Sequence, residues 1–182
     1  MKQFVYIVFL AVLVSCEGPV PRHPVKRNTS SSIKTSIERS KKLLAQEEKS
    51  IQDIIAKDSM HTYLQSASGS WYYYNKKNEI SEYTAKPNDL VVLTYNILSF
   101  DNDTIYSMED IGILNYKVDK QELFPGIRNA VKLLKEKETA TFLFPSSLGY
   151  GYQGDQNKIG VNMPLKAMLS ILKIEKQTDS KE

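Results

Sequence analysis

From residue 33 to about residue 57 the apolar residues recur at helical spacing. Ile33, Ile37, Leu44, Ile51, Ile54 and Ile55 fall on one face, and Ser32 can cap the start. Ile37, Leu44 and Ile51 also repeat every seven residues, which suggests a coiled-coil seam, but the intervening seam positions are the polar Ser40 and Glu47. The helix can therefore pack on its own domain, stand as a solvated spacer, or pair with a second copy. Ser66-Ala-Ser-Gly-Ser70 interrupts the pattern, and from Trp71 the spacing becomes that of strands. Trp71–Tyr74, Leu90–Leu98, Leu114–Val118, Thr139–Phe144 and Leu165–Ile174 are predicted strands; Lys86–Asp89 is a turn, and Asp101-Asn-Asp103 is a hairpin turn. Between the third and fourth strands, Pro125-Gly126 opens a short helix. Its Ile127, Ala130, Val131 and Leu134 form one apolar stripe, suited to packing against a sheet. Strands around one short helix, after one long helix, predict an α+β domain.

The first residues show a different pattern. Lys2 precedes an apolar run from Phe4 to Val14, too short to span a bilayer, and the run ends in Leu13-Val-Ser-Cys16. This resembles a bacterial lipobox, in which Cys16 becomes the acylated N-terminus; an ordinary signal peptide with an incidental cysteine is the alternative. Residues 1–15 are thus expected to be a lipoprotein signal peptide and 16–32 a Pro- and Ser-rich linker. Residues 33–65 are expected to be an N-terminal helical segment and 69–176 the folded domain. Several acyl chains on Cys16, each buried methylene contributing about 0.8 kcal/mol, imply a stable anchor in the cell envelope, facing the periplasm.

Composition narrows the chemistry. Cys16 is the only cysteine, so no intramolecular disulfide forms despite the export signal. The net charge of +3 is small and evenly spread, which argues against nucleic acid. The two histidines, His23 and His61, lie outside any cluster of metal-ligand spacing. Ser146 and Ser147 have no nearby histidine to activate them. Asp101-Asn-Asp103 lacks the later ligands of a calcium loop. Gly149-Tyr-Gly151-Tyr-Gln-Gly154 matches G-x-G-x-x-G, but Asp155-Gln-Asn-Lys158 follows as turn material where a nucleotide site needs a helix. The reading calls for no cofactor and no metal. Eleven tyrosines suit either a binding cleft or ordinary strands.

Several blocks in order resemble the FKBP-type peptidyl-prolyl cis-trans isomerases over residues 87–176. They are Val92-Leu-Thr-Tyr95, Lys120-Gln-Glu-Leu-Phe-Pro-Gly-Ile127, Phe144-Pro-Ser-Ser-Leu-Gly-Tyr150-Gly151 and Lys158-Ile-Gly-Val-Asn162-Met-Pro-Leu165. With the lipobox and the preceding helix, the chain looks most like the gliding-motility-associated isomerase lipoproteins. The resemblance implies an FKBP-like antiparallel sheet wrapped on one short helix. It also implies isomerisation of X-Pro bonds, with proline-containing polypeptides as partners, in the folding of envelope proteins. Tyr95, Tyr106, Phe124 and Tyr150 would be the catalytic positions, and Ile105, Leu114, Tyr116, Leu123, Ile127 and Ile159 would line the substrate pocket. The N–H of Phe124 and the hydroxyl of Tyr150 would hold substrate carbonyls. Plain core packing is the competing explanation for each of these residues, and a non-catalytic FKBP-like chaperone or scaffold is the competing function.

The sequence also departs from the family. Ile105-Tyr106 stand where Phe-Asp is usual, so Tyr106 removes a carboxylate from the pocket, and restoring it by Tyr106→Asp is expected to raise activity. Ala167 stands near a position often filled by Phe, which would leave one wall open, and Gly160-Val161 replaces a Pro-containing loop. These departures predict weakened turnover more than lost binding.

Overall fold

The computed structural model describes residues 29–177. The expected signal peptide, Cys16 and most of the expected linker lie outside the described residues. A compact unit runs from Ile37 onward and contains the whole sheet.

Helix α1 spans Thr29–Lys57. It begins four residues before Ile33, so the linker ends earlier than its serines suggest; serine costs a helix only about half a kcal/mol relative to alanine. Its C-terminal half packs on the domain through Ile51, which is fully buried with Trp71 and Leu143 and flanked by the half-buried Ile54 and Ile55. Earlier along the helix, Ile37 and Leu44 are 49% and 39% exposed, so the seven-residue pattern is divided between two environments.

The helix stops at Asp58. Its N–H reaches the carbonyls of both Ile54 and Ile55, and its carboxylate accepts from the Met60 N–H and the Tyr63 hydroxyl and pairs with His61 Nδ1. This knot turns the chain back onto the sheet. Leu64–Gln65 consequently forms strand β1, paired with β2 (Trp71–Lys76), and is not the end of a helical segment.

The remaining strands are β3 (Leu90–Tyr95), β4 (Ile97–Leu98), β5 (Thr104–Tyr106), β6 (Leu114–Lys117), β7 (Thr139–Phe144) and β8 (Leu165–Glu175). All pairings are antiparallel, in the order β1-β2-β7-β8-β3-β6, with β4 joined to β8 and β5. The predicted single strand over 90–98 is split at Asn96. The Asn96 N–H donates to the Met168 carbonyl, and its side-chain oxygen accepts from the Met168 N–H at 2.8 Å, so a side chain takes one ladder position. Alternate residues of β3 and β8 point inward: Val91, Leu93 and Tyr95 from one, and Leu165, Ala167, Leu169 and Ile171 from the other. Ala167 is fully buried opposite Phe142, so it closes onto β7 and does not leave an open wall.

The hairpin turn before β5 is organised by Ser99, whose hydroxyl accepts from the N–H groups of Asp101 and Asp103. A short helix α2 (Met108–Ile111), not expected from the pattern, is fixed by a capping box between Ser107 and Asp110. Helix α3 (Pro125–Val131) lies across the sheet with Ile127, Ala130, Val131 and the following Leu134 at most 1% exposed. Gly126 permits this approach: a Cβ there would come within 2.8 Å of the Phe144 ring and 2.9 Å of the Leu148 carbonyl. The backbone of α3 therefore touches the end of β7, and this contact positions the preceding Phe124.

Candidate functional site

The ten positions expected around the proline pocket come from six parts of the chain and meet in one apolar cluster. Tyr95 (β3), Tyr116 (β6), Phe124 and Ile127 (the start of α3) and Ile159 are buried in it. Ile105 and Tyr106 (β5), Leu114 (β6), Leu123 and Tyr150 are half-buried and packed against it.

Phe124 is the centre of the aromatic group. It makes edge contacts with Tyr95 at 6.2 Å and Phe144 at 5.7 Å, and a tilted contact with Tyr150 at 5.3 Å between ring centroids. It is also the N-cap of α3, with extended backbone, so its N–H stands outside the helical hydrogen-bond ladder. Burial pushes the Tyr95 phenol up to about 12. Burial, then the negative charge of Asp155, also raises Tyr150. Both hydroxyls therefore stay protonated near neutrality and can donate. The Tyr116 hydroxyl is buried and has no hydrogen-bond partner among the described residues.

The rim has different chemistry. Tyr106 donates its hydroxyl proton to Asp155 Oδ2 at 2.5 Å and accepts from Asn157 Nδ2 at 3.1 Å. Asp155 Oδ1 accepts from the N–H groups of Ile159, at 2.7 Å, and Asn157, at 2.9 Å, while the Asp155 N–H donates to the Ile159 carbonyl. Lys158 closes the ring of contacts: its Nζ lies 4.8 Å from the Tyr106 ring centroid and donates to the Ile105 carbonyl. Burial disfavours the Asp155 charge, but the Tyr106 hydroxyl and the Ile159 and Asn157 amides outweigh it and hold the carboxyl below its ordinary range. The same carboxylate is the main reason the Tyr106 phenol is raised.

The expectation that Tyr106 leaves this rim without a carboxylate is therefore corrected. Asp155 brings one from 49 positions away, and Tyr106 is its partner. The sequence offered only a faint signal for this group: an acid and an amide spaced for a turn, directly before the Lys158-Ile159 block. Gly151–Gln153 is a short 3-10 turn and does not open an α-helix, which agrees with rejecting the nucleotide reading. Among the described residues no three acidic, histidine or cysteine side chains gather as a metal site. Nor is any described helix long and apolar enough to cross a membrane.

Comparison with known proteins agrees with this architecture. The sequence model of the FKBP-type peptidyl-prolyl cis-trans isomerases matches residues 81–169. A probable FKBP-type peptidyl-prolyl cis-trans isomerase FkpA of Neisseria meningitidis serogroup B is 32% identical over 124 residues, 68% of this chain and 43% of the relative. The chain thus spans less than half of that relative's length. In fold, it is similar to FkpA from Escherichia coli, with a TM-score of 0.58 and 20% identity, over 96% of this chain and 81% of the other. A peptidyl-prolyl cis-trans isomerase from Pseudomonas syringae pv. tomato gives a TM-score of 0.57 and 16% identity, over 75% and 96% of the two chains. The match over residues 81–169 thus identifies an FKBP-type peptidyl-prolyl cis-trans isomerase domain in this chain, and the solved structures share its fold.

Proposed function

We propose that this chain catalyses cis/trans isomerisation of X-Pro bonds in polypeptides. The observation that carries the reading is that all ten pocket positions belong to the domain's apolar core cluster, with Phe124 packed on both Tyr95 and Tyr150. Rotation about a peptide bond faces a barrier of about 18–20 kcal/mol because resonance holds it planar. The twisted amide has lost much of that charge separation, so an apolar floor of Tyr95, Tyr116, Phe124, Ile127 and Ile159 favours it over the planar ground state. The Phe124 N–H and the Tyr150 hydroxyl bind carbonyls on either side of the proline. Leu114 and Leu123 complete the apolar walls. Tyr106, its proton committed to Asp155, fixes the rim that carries Ile105 and Ile159.

A protease-coupled assay on an X-Pro peptide tests this reading, with turnover well above the spontaneous rate as the expected outcome. The replacement of the usual acid by Tyr106 is the observation that favours the alternative, a non-catalytic chaperone or scaffold. Bound peptide that isomerises at the background rate would establish that alternative.

The wider setting belongs to the same proposal. Acylation at Cys16 tethers the protein to the envelope, where its clients are exported proteins; the resemblance to motility-associated lipoproteins suggests a gliding apparatus among them. Cys16→Ser should move the protein from the membrane to the soluble fraction. Ile51 is consumed by the chain's own core, which leaves Ile37 and the turns before it as the contact of a homodimer through α1. Sedimentation of Ile37→Glu against the parent chain tests that arrangement.

A further inference from the structure

Among the described residues three carboxylates are buried: Glu47, Asp89 and Glu138. Asp89 and Glu138 are satisfied through both oxygens. Asp89 accepts from the Tyr83 hydroxyl and the Lys86 and Gln177 N–H groups, and Glu138 accepts from the Asn78 and Lys135 N–H groups. Glu47 is different. It is only 6% exposed, its Oε2 accepts from the Ser146 N–H at 2.9 Å, and its Oε1 has no partner among the described residues. An acceptor withdrawn from water without a donor costs about 1–3 kcal/mol, and more when it is charged.

Glu47 does not lie in close-packed core. It lines a cavity of about 310 Å³ whose other walls include Ser40, Leu43 and Leu44 of α1, with Ser146 and Tyr152 opposite. Ser40 and Glu47 are the two polar residues that interrupt the seven-residue apolar pattern, and both face this space. No lysine, arginine or histidine is among the lining residues, so the chain supplies no cation of its own. The cavity has an acidic base, and leucine and tyrosine side chains line its sides. Such walls suit a long side chain that is apolar along its stem and cationic at its tip.

One wall also belongs to the segment directly after Tyr150, because Gly151 and Tyr152 line the cavity. Asn162 joins the same wall, donating its N–H to the Gly151 carbonyl at 2.7 Å. The cavity wall at Gly151 and Tyr152 therefore follows Tyr150, one of the proposed substrate-binding positions, directly in the chain. We propose that this cavity is a subsite for an arginine or lysine side chain of the bound polypeptide, with Glu47 as its counter-charge. It would make the protein select prolines that have a basic residue nearby. The proposal rests on the proline-pocket reading and adds a sequence preference to it.

The test uses the full chain and a set of fluorescent X-Pro peptides in which one arginine is moved stepwise along each side of the proline, with alanine at the same positions as the control. At one position arginine should tighten binding roughly tenfold, the scale of one hydrogen bond to a charged partner. Glu47→Gln should abolish that gain and leave the alanine peptide's affinity unchanged, because a glutamine carbonyl can still accept from Ser146. The amide resonance of Ser146 reports on the site directly and should shift only with the arginine peptide. If alanine peptides fail to bind at all, the proline-pocket reading fails, and with it the foundation of the subsite. If they bind and arginine adds nothing at any position, the cavity holds only water and the subsite is overturned. If the Ser146 resonance follows protein concentration instead of peptide, a second copy covers the cavity, which also overturns it.

Discussion

The floor and the rim of the proposed proline pocket are built by different physics. The floor residues Tyr95, Phe124 and Ile127 belong to the same continuous core as β3, β7, β8 and α3, so the pocket base is as rigid as the domain itself. The rim is a loop drawn onto β5 by a few polar contacts: Tyr106 to Asp155, Asp155 to the Ile159 and Asn157 amides, and Lys158 to the Ile105 carbonyl. Damage to the floor should therefore be measured first as lost stability. Damage to the rim should be measured as altered binding and turnover in a protein that still folds.

Ile127→Ala is expected to give the largest effect. The side chain is fully buried beneath the aromatic group, and its loss should cost about 2–5 kcal/mol of unfolding free energy in a denaturant titration. A loss confined to turnover, with stability intact, would show that the floor is separate from the core. Next is Tyr106→Asp. On sequence grounds this change restores a missing acid and should raise activity. The structure reverses the expectation, because the new carboxylate would face Asp155 where a hydrogen-bond donor now stands. Turnover should fall, and adding Asp155→Asn to the same chain should recover much of it. A rise in the single variant would show that the rim does not depend on a donor facing Asp155.

Of the floor, Ile127 could be read from helical periodicity, which reports the residues that share a face, whereas Tyr95, Tyr116, Phe124 and Ile159 were indicated only by the family resemblance. The stripe of Ile127, Ala130, Val131 and Leu134 appears in the structure as the spacing implies. The rim was not legible for a physical reason. A turn acid such as Asp155 satisfies local amides in almost any loop, and nothing nearby in sequence reveals that it also meets a hydroxyl 49 positions away. Asn96 was concealed in the opposite way: an apolar run continues on both sides of it, yet its amide interrupts the ladder. Glu47 looked like a solvated break in a coiled-coil seam because its partner, the Ser146 N–H, lies 99 positions along the chain.

Acid titration sharpens the contrast further. Asp155 has a folded-state pKa below its ordinary value of 3.8, so its ionised form favours the folded state. That contribution is complete above about the ordinary value and is lost as pH falls through the lowered one. As pH falls below about the ordinary value of 3.8, the parent chain should therefore lose some stability that Asp155→Asn does not. The difference should be modest, because the loop is partly exposed and its charges are screened by solvent. Parallel acid profiles for the two chains would place the rim's contribution elsewhere.

The smallest expected effect lies where floor and rim meet. Tyr150 packs its ring on Phe124, while its phenol is raised by burial and by the negative charge of Asp155. Removing the hydroxyl in Tyr150→Phe keeps the ring contact and takes away one donor. Peptide affinity should weaken by about 0.5–1.5 kcal/mol, the range for a single hydrogen bond, with unfolding free energy nearly unchanged. Equal losses of stability and affinity would assign Tyr150 to the floor alone. Unchanged affinity would remove its hydroxyl from substrate binding and leave the Phe124 N–H as the remaining polar contact proposed for the substrate.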